Sequence, residues 1–180
     1  MMTMPERETK VRHRRSILLA AGAAGAAGLL GSSGRGGAGT PARRFEVEHS
    51  EAEWRRRLTP GQFEVLRGHG TERAGTSPLD REKRAGLYHC AGCDRPLFES
   101  ATKYDSRTGW PSFWAPIEGA VGTQADRSLF WQARTEVHCS RCGGHLGHVF
   151  DDGPPPTGKR YCMNGISMTF RPAAAPGPQS

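Results

Sequence analysis

The chain has 180 residues and a mass of 19.6 kDa, room for one ordinary domain with short extensions. Hydrophobic residues at 36% and charged residues at 24% exclude a disordered chain and a multi-span membrane protein, while 24 Gly and 13 Pro favour short strands and turns over a helix bundle. The formal charge of +7 would suit a nucleic-acid partner, but residues 1–44 hold eight Lys/Arg against two Asp/Glu and leave 45–180 near neutral at +1.

Residues 1–44 read as a targeting leader. Arg12-His13-Arg14-Arg15 precedes a weakly apolar run from Ile17 to Leu30, which is shorter than the ~20 residues a membrane span needs. Adjacent arginines before such a run resemble a twin-arginine export signal, with His13 where Ser or Thr is usual. That resemblance implies an exported protein, periplasmic or extracellular. An uncleaved leader would leave the chain cytoplasmic or tethered to a membrane.

Two short helices are predicted next. Ser50-Glu51-Ala52-Glu53 has the form of a capping box, with Trp54 and Leu58 on one face. Thr59 and Pro60 open a second helix, Phe63 and Leu66 share its face, and Gly68 is its expected stop. From Gly86 onward, short runs broken by Gly and Pro predict strands. Arg127 to His138 is the longest strand candidate, and Ile166, Met168 and Phe170 alternate near the end of the domain. Residues 45–172 form the expected domain, and residues 173–180 a Pro/Ala-rich tail.

Five cysteines carry the chemistry. Cys90, Cys93, Cys139 and Cys142 make two C-x-x-C pairs, 45 residues apart, as four-thiolate zinc sites do. Gly143 and Asp94 follow the two pairs and tolerate the left-handed turn a knuckle needs. Two disulfides, or a redox C-x-x-C, would use the same spacing. Cys162 is left over. In a strand Arg160, Cys162 and Asn164 share one face, so a cation would sit beside the thiol and favour the nucleophilic thiolate. A buried, inert cysteine is the plain alternative. His145 and His148 stand three apart and are followed by Asp151 and Asp152, carboxylates able to hold an imidazole tautomer. Gly109-Trp110-Pro111-Ser112-Phe113-Trp114 offers an aromatic wall or a packed core turn. Gly153-Pro154-Pro155-Pro156 is a stiff loop leading to the Cys162 strand.

Together, Leu66-Arg67-Gly68-His69-Gly70-Thr71-Glu72, the two knuckles, Gly-Trp-Pro-Ser-Phe, His-Leu-Gly-His-Val-Phe and Arg-Tyr-Cys-Met-Asn resemble the B-type methionine sulfoxide reductases, which act on the R epimer. The resemblance spans roughly Phe45 to Pro172. It implies a mainly β fold of two antiparallel sheets with short N-terminal helices and one structural zinc held by Cys90, Cys93, Cys139 and Cys142. Cys162 becomes the nucleophile, and His145, His148, Asp152, Arg160 and Asn164 the polar residues of the site. A protonated His148, assisted by His145, gives a proton to the sulfoxide oxygen, while Trp110 receives the substrate's S-methyl group. Cys162 ends as a sulfenic acid.

The implied partners are oxidised methionine in proteins or peptides and a thioredoxin-like or small thiol reductant, with no nucleic acid and no stable membrane span. Thr108 stands where many relatives carry a resolving cysteine, so recycling through an internal disulfide is not expected. Gly165-Ile166 replaces the Ser-Ala often found after the Asn. The rival reading is a zinc-ribbon binding module, or a scaffold of the same fold, in which Cys162 is inert.

Overall fold

The computed structural model describes residues 44–127 and 133–174. Residues 1–43 of the leader with its Arg12–Arg15 stretch, Leu129 and Trp131 of the expected long strand, and residues 175–180 lie outside the described residues. No helix among the described residues is long and apolar enough to cross a membrane.

Both expected helices form. α1 (Glu51–Arg57) is capped by Ser50, whose hydroxyl accepts from the Glu53 amide at 3.2 Å. Only half of the expected box is made, because the Glu53 carboxylate turns instead to Arg57 at 2.7 Å and His49 at 3.2 Å. The reciprocal box belongs to α2 (Pro60–Gly68), where Thr59 and Gln62 each satisfy the other's amide. The left-handed cap is His69 at φ 56°, one residue beyond the expected Gly68. Trp54, Leu58, Val65 and Leu66 are the buried residues of these helices and the cap between them.

Among the described residues, nine strands build two antiparallel sheets, as the resemblance implied. The small sheet has the order β2 (Pro96–Glu99), β1 (Gly86–Cys90), β9 (Met168–Pro172). The large sheet runs β3 (Lys103–Tyr104), β4 (Ser112–Phe113), β8 (Arg160–Met163), β7 (His145–Phe150), β6 (Arg134–Cys139), β5 (Val121–Asp126). Two boundaries differ from expectation. Ile166 lies in a 3-10 turn, Gly165–Ser167, and its strand starts at Met168. β5 carried no apolar alternation because it is an edge strand whose side chains stay partly or fully exposed.

Aromatic side chains join the sheets. Phe113 of the large sheet stacks on Phe98 at a centroid distance of 4.3 Å and meets Tyr88 edge-on at 4.9 Å. All three are fully buried, so this contact carries much of the sheet-to-sheet adhesion. Trp114 is only half-buried and closes a loop instead, its amide donating to the Thr102 carbonyl at 2.9 Å. Phe113→Ala is expected to cost about 3–5 kcal/mol of folding free energy, as large-to-small core substitutions do, measured by urea unfolding at an unchanged slope.

Candidate active site and metal centre

The four paired cysteines converge where the sheets meet. Cys90 ends β1 and Cys139 ends β6, and each is followed by a turn that brings its partner back. The left-handed residues are those the sequence suggested, Asp94 at φ 63° and Gly143 at φ 68°. The Asp94 amide donates to the Cys90 carbonyl at 2.8 Å and the Gly143 amide to the Cys139 carbonyl at 2.9 Å. A β-carbon on Gly143 would lie 2.3 Å from the Phe45 ring, which is why this turn is glycine.

The sulfurs stand 3.7 Å apart for Cys90 and Cys142, and 3.5 Å apart for Cys93 and Cys139. Disulfides, at about 2.05 Å, are absent among the described cysteines. A tetrahedron with metal–sulfur bonds of ~2.3 Å has edges of ~3.8 Å, so the donor set fits one metal ion. Close sulfur neighbours and burial push the Cys90 thiol well up, and a cation at the centre would relieve that cost.

The fifth cysteine sits in a row of side chains that crosses the whole large sheet. Tyr104 pairs with Ser112, Ser112 with Cys162, Cys162 with His148, His148 with Glu136, and Glu136 with Gln124. Directly paired residues point to the same face, which places the imidazole of His148 on one side of Cys162 and the Ser112 hydroxyl on the other. Thr108 lies 3.8 Å from the Cys162 sulfur through its hydroxyl. Burial pushes the Cys162 thiol up, opposed by the Thr108 hydroxyl and the Arg160 charge. Burial also moves His148 below the ordinary imidazole range, against the pull of Asp126.

His145 and His148 would face opposite sides of a regular strand, being three residues apart. A bulge prevents this. Val137 pairs with Gly147 while His138 pairs with His145, so β7 carries one extra residue, Leu146. The two rings therefore meet, with centroids 5.4 Å apart.

Their carboxylates are not those expected from the sequence. His145 Nδ1 bonds Glu136 Oε1 at 2.7 Å, and His148 Nε2 bonds Asp126 Oδ2 at 2.8 Å. Glu136 is held in the carboxylate form by these contacts, its pKa lowered to about 2 although burial opposes this. Asp152, offered by the sequence as a partner for an imidazole, instead forms a two-pronged pair with Arg160, at 2.8 Å for each oxygen. Asp151 pairs with Lys159. The carboxylates that serve the imidazoles come from β5 and β6, and only strand pairing reveals them.

A cavity of ≈ 120 Å³ opens on Cys162, lined by Trp110, His148, Phe150, Asn164, Thr71 and Arg134 among others. His145 is 2% exposed and stands behind this wall. Asn164 spends its amide on backbone, accepting from the Glu72 amide at 2.9 Å and donating to the Leu146 carbonyl at 3.1 Å. Arg160 sits over the Phe150 ring at 4.3 Å. Sequence reasoning singled out neither Asp126, Arg134 nor Glu136.

It also gave no role to Glu72, whose three polar groups assemble the cavity wall. Its carbonyl accepts the Trp110 indole N–H at 3.2 Å, and its carboxylate caps the amides of Gly165 at 2.5 Å and Ile166 at 2.9 Å. Glu72→Ala is expected to cost about 1.5–3 kcal/mol for the lost charge-assisted bonds, with Glu72→Gln falling between. Chemical unfolding measures the loss, and fluorine NMR of labelled tryptophan should show Trp110 becoming mobile.

Comparison with known proteins agrees with this geometry. The SelR domain family model matches residues 58–172. A relative from Agrobacterium fabrum, the "Peptide methionine sulfoxide reductase MsrB", is 54% identical over 127 residues, covering 71% of this chain and 94% of its own. The protein of that name from Pseudomonas putida is 51% identical over 127 residues, covering 71% of this chain and 96% of its own. The one from Methanosarcina barkeri is 54% identical over 126 residues, with 69% and 88% covered. With the knuckles, the cavity and the cross-strand cysteine–histidine pair in place, the chain belongs to the SelR-domain family of B-type methionine sulfoxide reductases.

Proposed function

We propose that the chain reduces the R epimer of methionine sulfoxide in proteins or peptides, with Cys162 as nucleophile. The observation that carries the assignment is the pairing of Cys162 with His148 across β8 and β7, inside the cavity walled by Trp110. A binding module with an inert cysteine has no use for such a pair.

The balance of protons follows from burial. Cys162 rests as a thiol and His148 as a neutral imidazole, because burial moves the first up and the second down. Asp126 accepts the N–H at His148 Nε2, which leaves the other ring nitrogen to take a proton. His148 therefore takes the thiol proton and passes it to the sulfoxide oxygen, instead of starting protonated as the sequence alone suggested. The Cys162 sulfur bonds to the sulfoxide sulfur, the oxygen transfers to Cys162, and methionine leaves. Arg160, held in place by Asp152, stabilises the transient thiolate, and Trp110 and Phe150 keep water from the reacting sulfur. Asn164 and His145 act as positioning residues, the first through backbone and the second through Glu136 and the ring of His148.

The product on the protein is a sulfenic acid. With Thr108 beside the sulfur and the other four cysteines clustered at the metal centre, an external thiol must reduce it. The reductant attacks Cys162, water leaves, and a second thiol releases Cys162 from the mixed disulfide. The basic leader supports export, in which case an extracytoplasmic thioredoxin-like partner supplies the thiol.

The cysteine cluster fits zinc, whose role would be structural: it lies at the ends of β1 and β6, and would tie the small sheet to the large one. Removing the metal with a chelator in mild denaturant is expected to lower the thermal midpoint sharply, and adding zinc to restore it. An equally stable metal-free protein would contradict this.

The decisive experiment combines chemistry and mass. Reaction with excess R-sulfoxide, without reductant, followed by a sulfenic-acid reagent, should add one label at Cys162 and form no disulfide. The S epimer should give no label, and Cys162→Ser should give none while keeping its metal. A loss of two hydrogens mapping to a bridge between Cys162 and a knuckle cysteine would overturn the recycling route; label from both epimers would overturn the stereochemical assignment.

A further inference from the structure

We propose that His69, Glu136 and His145 form a second metal site, for a divalent first-row transition cation, opening to solvent behind the active-site wall. The three ligands come from different elements that the fold brings together. His69 caps α2, Glu136 lies on β6 and His145 begins β7. His69 Nδ1 stands 3.0 Å from Glu136 Oε1, and His145 Nδ1 stands 2.7 Å from the same oxygen. The two rings are 5.2 Å apart, and the three ligand atoms lie within 4.8 Å of one another.

A tetrahedral ion with bonds of ~2.0–2.2 Å to nitrogen and oxygen has ligand–ligand edges of ~3.3–3.5 Å. The His69–Glu136 spacing needs to open by about 0.3–0.5 Å and the His145–Glu136 spacing by about 0.6–0.8 Å. His69 can give on its side, its side chain being 59% exposed, whereas His145 and Glu136, 2% and 4% exposed, must part by a small side-chain rotation. The left-handed backbone at His69, φ 56°, aims the ring back at the sheet instead of along the helix. Gln124 donates to the other carboxylate oxygen of Glu136 and so orients the anion from behind, as outer-shell partners of metal ligands do. Two imidazoles and one carboxylate are a borderline donor set, suited to Co²⁺, Ni²⁺, Cu²⁺ or Zn²⁺ and poor for Mg²⁺ or Ca²⁺. As the site stands, the two imidazoles share one carboxylate oxygen; a cation would take their Nδ1 lone pairs, with each ring proton carried on Nε2 instead.

An ion here would act on turnover. His145 touches His148 ring to ring, and His148 is the cross-strand neighbour of Cys162. Fixing His145 and drawing the charge of Glu136 onto a cation places positive charge beside the imidazole that must accept a proton, so the loaded enzyme should be slow. This inhibitory consequence rests on the reductase reading above; the site itself does not.

The test uses the full chain without an affinity tag and with its knuckle site filled by zinc. Binding is measured first in the Cys162→Ser background, which removes the competing free thiol. Titration with Co²⁺ should add one equivalent, with weak ligand-field bands and no sulfur-to-cobalt charge-transfer absorption. His69→Ala, a change at an exposed position, should keep its thermal midpoint and weaken this binding by at least about tenfold. No additional equivalent, a thiolate signature, or equal binding in His69→Ala would overturn the site. In the second arm, Co²⁺ should slow sulfoxide reduction by the unmodified enzyme and not by His69→Ala. Equal inhibition of both would assign the effect to Cys162 and overturn the inhibitory role. A chain that binds cobalt through His69 yet reduces no sulfoxide would retain the site and remove the reductase reading.

Discussion

Cross-strand pairing at the centre of the large sheet is the constraint on which the chemistry depends. A sheet holds directly paired side chains about 4.5–5.5 Å apart at their β-carbons, with little freedom to drift. Ser112, Cys162, His148 and Glu136 occupy consecutive strands in one such row, so the thiol, the imidazole and a buried carboxylate are set by backbone hydrogen bonds. A loop-borne site would need other devices to reach that precision. Here the sheet supplies it, and the remaining parts adjust the electrostatics.

Those adjustments give each cation or imidazole a carboxylate partner, two of them shared with other groups. Arg160 is clamped by Asp152, His148 by Asp126, and His145 by Glu136. A cation near Cys162 that were free to swing would lose its effect on the thiol, because charge interactions weaken steeply with distance and solvation. Burial works in the opposite direction and keeps the resting pair neutral.

The cysteine cluster and Glu72 perform a related task at a distance. The cluster sits at the ends of β1 and β6, and the stacked aromatics Tyr88, Phe98 and Phe113 fill the space between the sheets. Glu72 ties the segment after α2 to Trp110 and to the turn after Cys162. Neither touches the reacting sulfur. Glu72 holds the wall of the cavity to the turn that follows the Cys162 strand, and the cluster holds the ends of β1 and β6 together.

Much of this was legible in the residues themselves. The doubled C-x-x-C determined the four-sulfur cluster, since two-residue spacing with Asp94 and Gly143 behind it folds locally into knuckles. The caps at Ser50 and Thr59 determined the helix starts, because a cap bonds only to amides two or three residues away. The fifth cysteine, Cys162, left over from the two pairs and standing between Arg160 and Asn164, pointed to a candidate nucleophile through the period-two geometry of a strand. Tertiary structure alone decided the rest. Asp126 and Glu136 reach the histidines from strands that are distant in sequence, the bulge at Leu146 turns His145 toward His148, and Asp152 goes to Arg160 instead of a ring. Spacing along a chain specifies neighbours on the same element, whereas register between strands is set by the burial and hydrogen bonding of the whole sheet. Which carboxylate serves which base was therefore written in the pairing, not in the motif.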